Sequence, residues 1–175
     1  MTDSNKKTPL YDLHVDLRAK IVEYNNFLMP LEYCSIISEH KCVRNNAGIF
    51  DISHMGEIVI EGKGATELVQ KIITNDVSSL PDYKSAYSPI CDEEGGIIDD
   101  IVVFKYNTDK YMLVANCANT KKDNKWINKF KTNNVNINDI SDQISLLAVQ
   151  GPKSEKIIRL VTGDECAELS RFQFM

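Results

Sequence analysis

The sequence predicts an α+β fold: a β-rich first domain interrupted by an inserted ferredoxin-like split-βαβ unit. Three observations carry this. Residues 55–137 run strand, helix, three strands, helix, strand, the split-βαβ order with one extra hairpin strand. Strand-forming segments stand on either side of that run, at 19–24 and 144–150, and are expected to pair with each other in one layer. The 175 residues, 43% of them hydrophobic, suffice to bury a sizeable core. The expected division is 1–54 for the first segment of the β-rich domain, 55–137 for the insertion, and 138–175 for an incomplete return.

Taken in order, Thr8-Pro9 reads as an N-cap followed by proline at the first helical position, opening a short helix through His14 and Leu17. A strand follows at 19–24. Asn25 to Leu28 reads as an exposed loop, because consecutive asparagines favour turns and fill a core poorly. Ile36, Ile37, His40, Val43, Arg44 and Ala47 have helical spacing, and Gly48 supplies the stop. In the insertion, 57–61 is a strand, and Ala65, Leu68, Val69, Ile72 and Ile73 make one helical stripe. Strands follow at 86–91, 97–106 and 111–116, the last two joined by a turn at 107–110. A helix capped by Asn119 or Thr120 carries Trp126, Ile127 and Phe130, short strands fall at 135–137 and 144–150, and Pro152 opens a final helix.

Within that plan, Asp99 and Asp100 are the anomaly, two adjacent carboxylates opening an apolar, β-branched strand just after the turn residues Gly95-Gly96. Strand alternation sends them to opposite faces. On the face of Ile98, Val102 and Phe104, Asp100 would be a half-buried anion, costly unless it is paired or meets a ligand. Asp99→Asn should therefore matter much less than Asp100→Asn. The residue types alone also allow a plainer arrangement, with one aspartate in water at the strand mouth and the other closing a turn.

Other features exclude more than they assign. A net charge of -5 argues against a nucleic-acid surface. Five cysteines without a CxxC pair suggest thiols in a reducing, cytoplasmic compartment, and the amino terminus lacks the apolar stretch of a secretory signal. No apolar run is long enough to span a bilayer as a helix. His14, His40 and His54 lack metal-ligand spacing, so no metal is expected. Gly62-Lys63-Gly64 follows a strand and opens a helix, but Glu67 occupies the place of the third glycine of a dinucleotide fingerprint. Asp51, Ser53 and His54 lie too close together on an extended segment to converge as a hydrolytic triad.

Several blocks together resemble one family. Thr8-Pro9-Leu10-Tyr11, Gly48 through Glu57 (GIFDISHMGE), Thr74-Asn75-Asp76-Val77, Gly95 through Asp100 (GGIIDD), Val114 through Asn119 (VANCAN) and Gln150-Gly151-Pro152 are similar in order and spacing to the aminomethyltransferase, or T-protein, of the glycine cleavage system. The resemblance implies a cloverleaf folate-binding fold. It also implies a tetrahydrofolate-dependent transfer that takes the aminomethyl group from the lipoyl arm of the H-protein, releases ammonia and forms 5,10-methylene-tetrahydrofolate. Asp100 matches the family's essential aspartate beside the pterin, and Tyr87, Asn116 and Met55 match positions facing the folate.

The chain also departs from the pattern. Arg18 replaces a usual glycine, Asn25-Asn26-Phe27-Leu28 replaces an Ala-Gly-Trp segment, and Phe104 stands where tyrosine is common. Family members run about twice as far, with folate-holding residues in a carboxy-terminal half. Two arrangements follow: the amino-terminal half of an aminomethyltransferase, either cut short or completed by a second polypeptide, or a non-catalytic folate- or H-protein-binding module.

Overall fold

The computed structural model describes residues 5–175, which form a mixed α/β structure. Contacts divide it into two units. The first comprises the chain through His54 together with Ser145–Glu168; the second comprises Met55–Ile144 and Leu169–Met175. Residues 138–144 and the last seven thus group with the second unit, whereas the sequence reading assigned them to the first.

The first unit holds strands β1 (Lys6–Lys7), β2 (Lys20–Tyr24), β3 (Phe27–Glu32) and β4 (Gly48–Asp51), and helices α1 (Tyr11–Asp16) and α2 (Ile36–Asn45). Helix α1 begins two residues later than the proline implied: Leu10 is the N-cap, and Thr8 contributes its carbonyl to a turn that accepts the Tyr11 amide. Strand β3 was not foreseen, because Pro30 lowers strand propensity and the asparagines before it read as a loop. Asn25 and Asn26 are exposed as expected, but both take positive φ, 49° and 64°, the conformation of a tight hairpin turn that reverses β2 into β3. The sheet order is β1-β3-β2.

The remaining elements of this unit are β10 (Leu147–Gln150), α5 (Ser154–Thr162) and α6 (Asp164–Ala167). Segments before and after the insertion do pair, but through β4 and β10, with Asp51 opposite Leu147 and Gly48 opposite Gln150. The expected layer between 19–24 and 144–150 does not form, since β2 belongs to the other sheet.

In the second unit β5 (Gly56–Glu61), β6 (Lys84–Cys91), β7 (Ile97–Asn107), β8 (Lys110–Ala115) and β9 (Asn136–Asp139) make a five-stranded sheet ordered β6-β7-β8-β5-β9. Every neighbouring pair is antiparallel. Helices α3 (Ala65–Ile72) and α4 (Thr120–Asn128) pack on one face of it. The predicted stripe Ala65, Leu68, Val69, Ile72 and Ile73 is buried against Ile58, Ile60, Ile101, Val103 and Leu113, whose alternation aligns them on the same face. Ile127 brings α4 into this core.

Candidate functional site

The site starts from a turn. Gly95 takes φ 86°, a backbone that favours glycine, and a Cβ on Gly96 would lie 2.7 Å from an Asp92 carboxylate oxygen, which would have to swing away. Asp92 accepts the Gly96 amide at 2.7 Å and the Glu94 amide at 3.0 Å. This clamp launches β7 with Asp99 and Asp100 in its first turnings of the pleat.

Alternation separates the two acids as the sequence requires, but the faces are exchanged. Asp99 shares the helix-covered face with Ile101 and Val103 and is only 4% exposed, while Asp100 is exposed on the opposite face. The half-buried anion expected at residue 100 therefore stands at residue 99. Which face the helices cover depends on α3 and α4, remote in sequence, and alternation carries no information about that choice.

Strand register gathers the predicted site residues. Gly56 pairs with Ala115, Val102 with Val114 and Pro89 with Asp100, so the same antiparallel register brings Met55, Asn116, Asp100 and Pro89 to one end of the sheet. Tyr87 pairs with Val102, one same-face step along from Asp100, and is 63% exposed. The Tyr87 ring meets Phe172 edge to face at 6.2 Å. The Phe104 ring packs against Phe174 at 5.2 Å.

Asn116 joins the two aspartates. Its amide nitrogen Nδ2 donates to Asp99 Oδ1 at 3.0 Å, to the Asp100 carbonyl at 3.0 Å and to Asp100 Oδ1 at 3.2 Å, while its backbone N–H donates to Asp99 Oδ2 at 3.1 Å. Asn119 Nδ2 adds a bond to Asp99 Oδ1 at 2.6 Å. The sequence reading gave Asn119 to the cap of α4; it is the N-cap residue, but its side chain makes no cap hydrogen bond and serves Asp99 instead. Close approach of β5 to α4 sets this loop, since a Cβ on Gly56 would lie 2.3 Å from Thr120 Oγ1.

Two further acids lie near this frame. Asp123, in the first turn of α4, has no exposure. Burial pushes its carboxyl up, and the Asp99 carboxylate at hydrogen-bonding range pushes it further, to about 8. Burial acts on Asp99 in the same sense, yet hydrogen bonds from Asn116, Asp123 and Asn119 outweigh it and hold that group below the usual carboxylate range. Glu57 is 1% exposed, and neither of its carboxyl oxygens has a hydrogen-bond partner. Burial, with a smaller contribution from Asp139, raises it to about 7.

A model of the GCVT N-terminal domain matches residues 10–175. This chain belongs to that family. An aminomethyltransferase of Caldanaerobacter subterraneus subsp. tengcongensis is 45% identical over 173 residues, covering 98% of this chain and 46% of the relative. The aminomethyltransferase of Staphylococcus carnosus is 45% identical over 175 residues, covering 99% of this chain and 48% of its own. The crystal structure of glycine cleavage system aminomethyltransferase T from Bartonella henselae superposes with a TM-score of 0.91 at 33% identity, over 97% of this chain and 47% of that one. The GCVT-family chain thus spans about half the length of the curated relatives it matches.

Other candidates are set apart from this frame. A hollow of about 320 Å³ lined by Ile73, Val77, Leu80 and Val103 opens on the helix-covered side, away from Asp100. Among the described residues no cluster of His, Cys, Asp or Glu could hold a metal, and no helix is long and apolar enough to cross a membrane. In the first unit His14 is buried, its Nε2 2.9 Å from Asp51 Oδ2 and its Nδ1 2.9 Å from the Tyr33 hydroxyl. Sequence reading missed this triple, whose members lie far apart in the chain. It missed Asp123 as well, because Lys121-Lys122-Asp123-Asn124-Lys125 reads as a solvated charge run.

Proposed function

We propose that this chain supplies the amino-terminal part of the folate site of an aminomethyltransferase, acting in glycine cleavage. The observation that carries the reading is the convergence of Asp100, Asn116 and Met55 at one end of the five-stranded sheet, with Tyr87 one step away on the face of Asp100. In this reading the second unit is an inserted split-βαβ layer within a cloverleaf whose further domains lie in a carboxy-terminal half, in the same polypeptide or a second one. The aminomethyl group comes from the lipoyl arm of the H-protein, ammonia leaves, and the one-carbon unit ends as 5,10-methylene-tetrahydrofolate. The compartment is the cytoplasm.

The geometry suits this chemistry in a specific way. Asp100 is exposed, so a ligand can reach it, and Asn116 restrains its carboxylate. A fixed anion there stabilises positive charge developing on the pterin nitrogen and on the iminium-like carbon during transfer, without acting as a strong base. Tyr87 offers an exposed ring for the flat pterin to stack on. Asn116 supplies amide hydrogen-bonding groups at the pterin edge, and Met55 a pliant apolar contact.

The test is Asp100→Asn in the full chain with its complementing half, assayed with tetrahydrofolate and aminomethylated H-protein. The substitution keeps shape and removes charge, so transfer should slow on the order of a hundred-fold or more, with the thermal melt unchanged. Normal turnover by the folded variant would remove Asp100 from the reaction.

A further inference from the structure

We propose that Asp99 and Asp123 form a proton-sharing carboxyl pair that positions Asn116 and, through it, Asp100. The proposal rests on the reading of Asp100 and Asn116 as site residues, and it assigns the buried acid beside them a role of its own.

The argument begins with hydrogen-bond capacity. An ionised carboxylate has about four acceptor positions. Asp99 fills three with the Asn116 amide N–H, Asn116 Nδ2 and Asn119 Nδ2; the Asp123 carboxyl, one turn along α4 from Asn119, is its remaining hydrogen-bonding neighbour. Asp123 has no nitrogen or hydroxyl donor at either oxygen. Two carboxylates cannot hydrogen-bond unless one carries a proton, and two bare anions side by side in an apolar core are strongly disfavoured. Asp99 has three N–H donors that favour its anion, so the proton resides on Asp123 and the bond runs from Asp123 to Asp99. The surroundings agree. Lys122 is the nearby cation on α4 and gives its Nζ to the Ile98 carbonyl at 2.6 Å. From β7 come Asp99 itself and Asp100 on the opposite face, and β5 turns aliphatic Ile58 and Ile60 toward the helices.

The consequence reaches the site through one amide. Asn116 Nδ2 has two hydrogens and three acceptors around it, Asp99 Oδ1, the Asp100 carbonyl and Asp100 Oδ1. With the nitrogen so committed, planarity fixes where the amide oxygen faces. Asp99 thus determines the orientation of Asn116, and Asn116 restrains the exposed carboxylate of Asp100. In Asp99→Asn, one side of the new amide would present N–H groups to N–H groups, and the Asn116 amide would have to turn.

The experiment uses nuclear magnetic resonance on the full chain, following the Asp123 carboxyl carbon and the Asn116 side-chain amide. The Asp123 carbon should report a protonated acid at pH 6, with Asp99 ionised, and should titrate near 8. The Asn116 amide signals should be retained in Asp123→Asn, whose amide still donates to Asp99, and should shift or broaden in Asp123→Leu and in Asp99→Asn. A purely structural pair would treat Asn and Leu at 123 alike at Asn116. Ionised Asp123 at pH 6, or an Asn116 amide indifferent to Asp99→Asn in a folded protein, overturns the proposal. Should a variant fail to fold, the titration of the parent chain decides by itself. The reading of Asp100 fails separately, if Asp100→Asn leaves transfer unchanged while these signals behave as described.

Discussion

The two units bury different things. The second closes a continuous apolar core of isoleucine, valine and leucine between its sheet and α3 and α4. In the first, the buried residues among those described are Thr8, His14, Met29 and Ser53, and α2 and α5 bury none. Each unit nevertheless hides acidic side chains, and Asp51 of the first differs from Asp123 of the second. Burial would push Asp51 up, but hydrogen bonds from Ser53 and His14 among others hold it below the usual range. Asp123 has no such donors and is pushed to about 8. Burial does not set the charge of an acid; the number of donors aimed at it does.

The largest effect that tests this contrast is one substitution made in both places. Asp51→Asn removes an anion that accepts from the His14 ring and the Ser53 amide, and stability should fall by about 3 kcal/mol. Asp123→Asn replaces a protonated acid by a donor of the same shape and should be close to neutral at pH 6. Chemical denaturation of the two variants checks both, and equal losses would break the comparison.

A smaller effect is the pH dependence of stability. Glu57 and Asp123 have pKa values raised in the folded chain, from 4.5 to about 7 and from 3.8 to about 8. The native state therefore holds protons that the unfolded chain releases, and their contribution, fully present below the ordinary values, is lost as pH rises toward 7 and 8. Asp51 and Asp99 are lowered, so their contribution is present above the ordinary value and lost as pH falls below it. For these four groups maximum stability should fall near pH 4, between the two sets of losses. Glu57→Gln should flatten the decline between pH 5 and pH 8, gaining on the order of 2 kcal/mol at the upper end. Melting curves across that range check it; an unchanged slope would mean that Glu57 is ionised throughout.

The smallest effect sharpens the description of the first unit. Arg18 takes φ 59° just after α1, the helix that carries His14. A left-handed backbone costs an arginine more than a glycine, so Arg18→Gly should raise stability by up to about 1 kcal/mol without disturbing the Asp51–His14 bond. A fall in the melting temperature would show that the Arg18 side chain contributes more than its backbone costs.

What was legible in the sequence was local. Helical spacing identified the buried stripe of α3, turn residues marked both ends of β7, and alternation separated Asp99 from Asp100. Periods of 3.6 and 2 are properties of a short stretch of chain, and so is the positive φ that Gly95 supplies. β3 was hidden because its evidence is not local: a strand containing Pro30 is stabilised by β1 and β2 on either side of it, not by its own propensity.

The chemistry of the acids depended still more on distant partners. Nothing around residue 99 says that helices will cover its face, or that Asp123 will arrive from α4 with no donor of its own. Nothing around residue 14 says that its imidazole will meet Asp51 and Tyr33. By itself the sequence determined most of the segments that become strands and helices, β3 excepted, and that two neighbouring carboxylates must part. Only the tertiary structure decided which carboxylate is buried and which buried acid keeps its proton, because desolvation and hydrogen-bond supply come from groups brought together by folding.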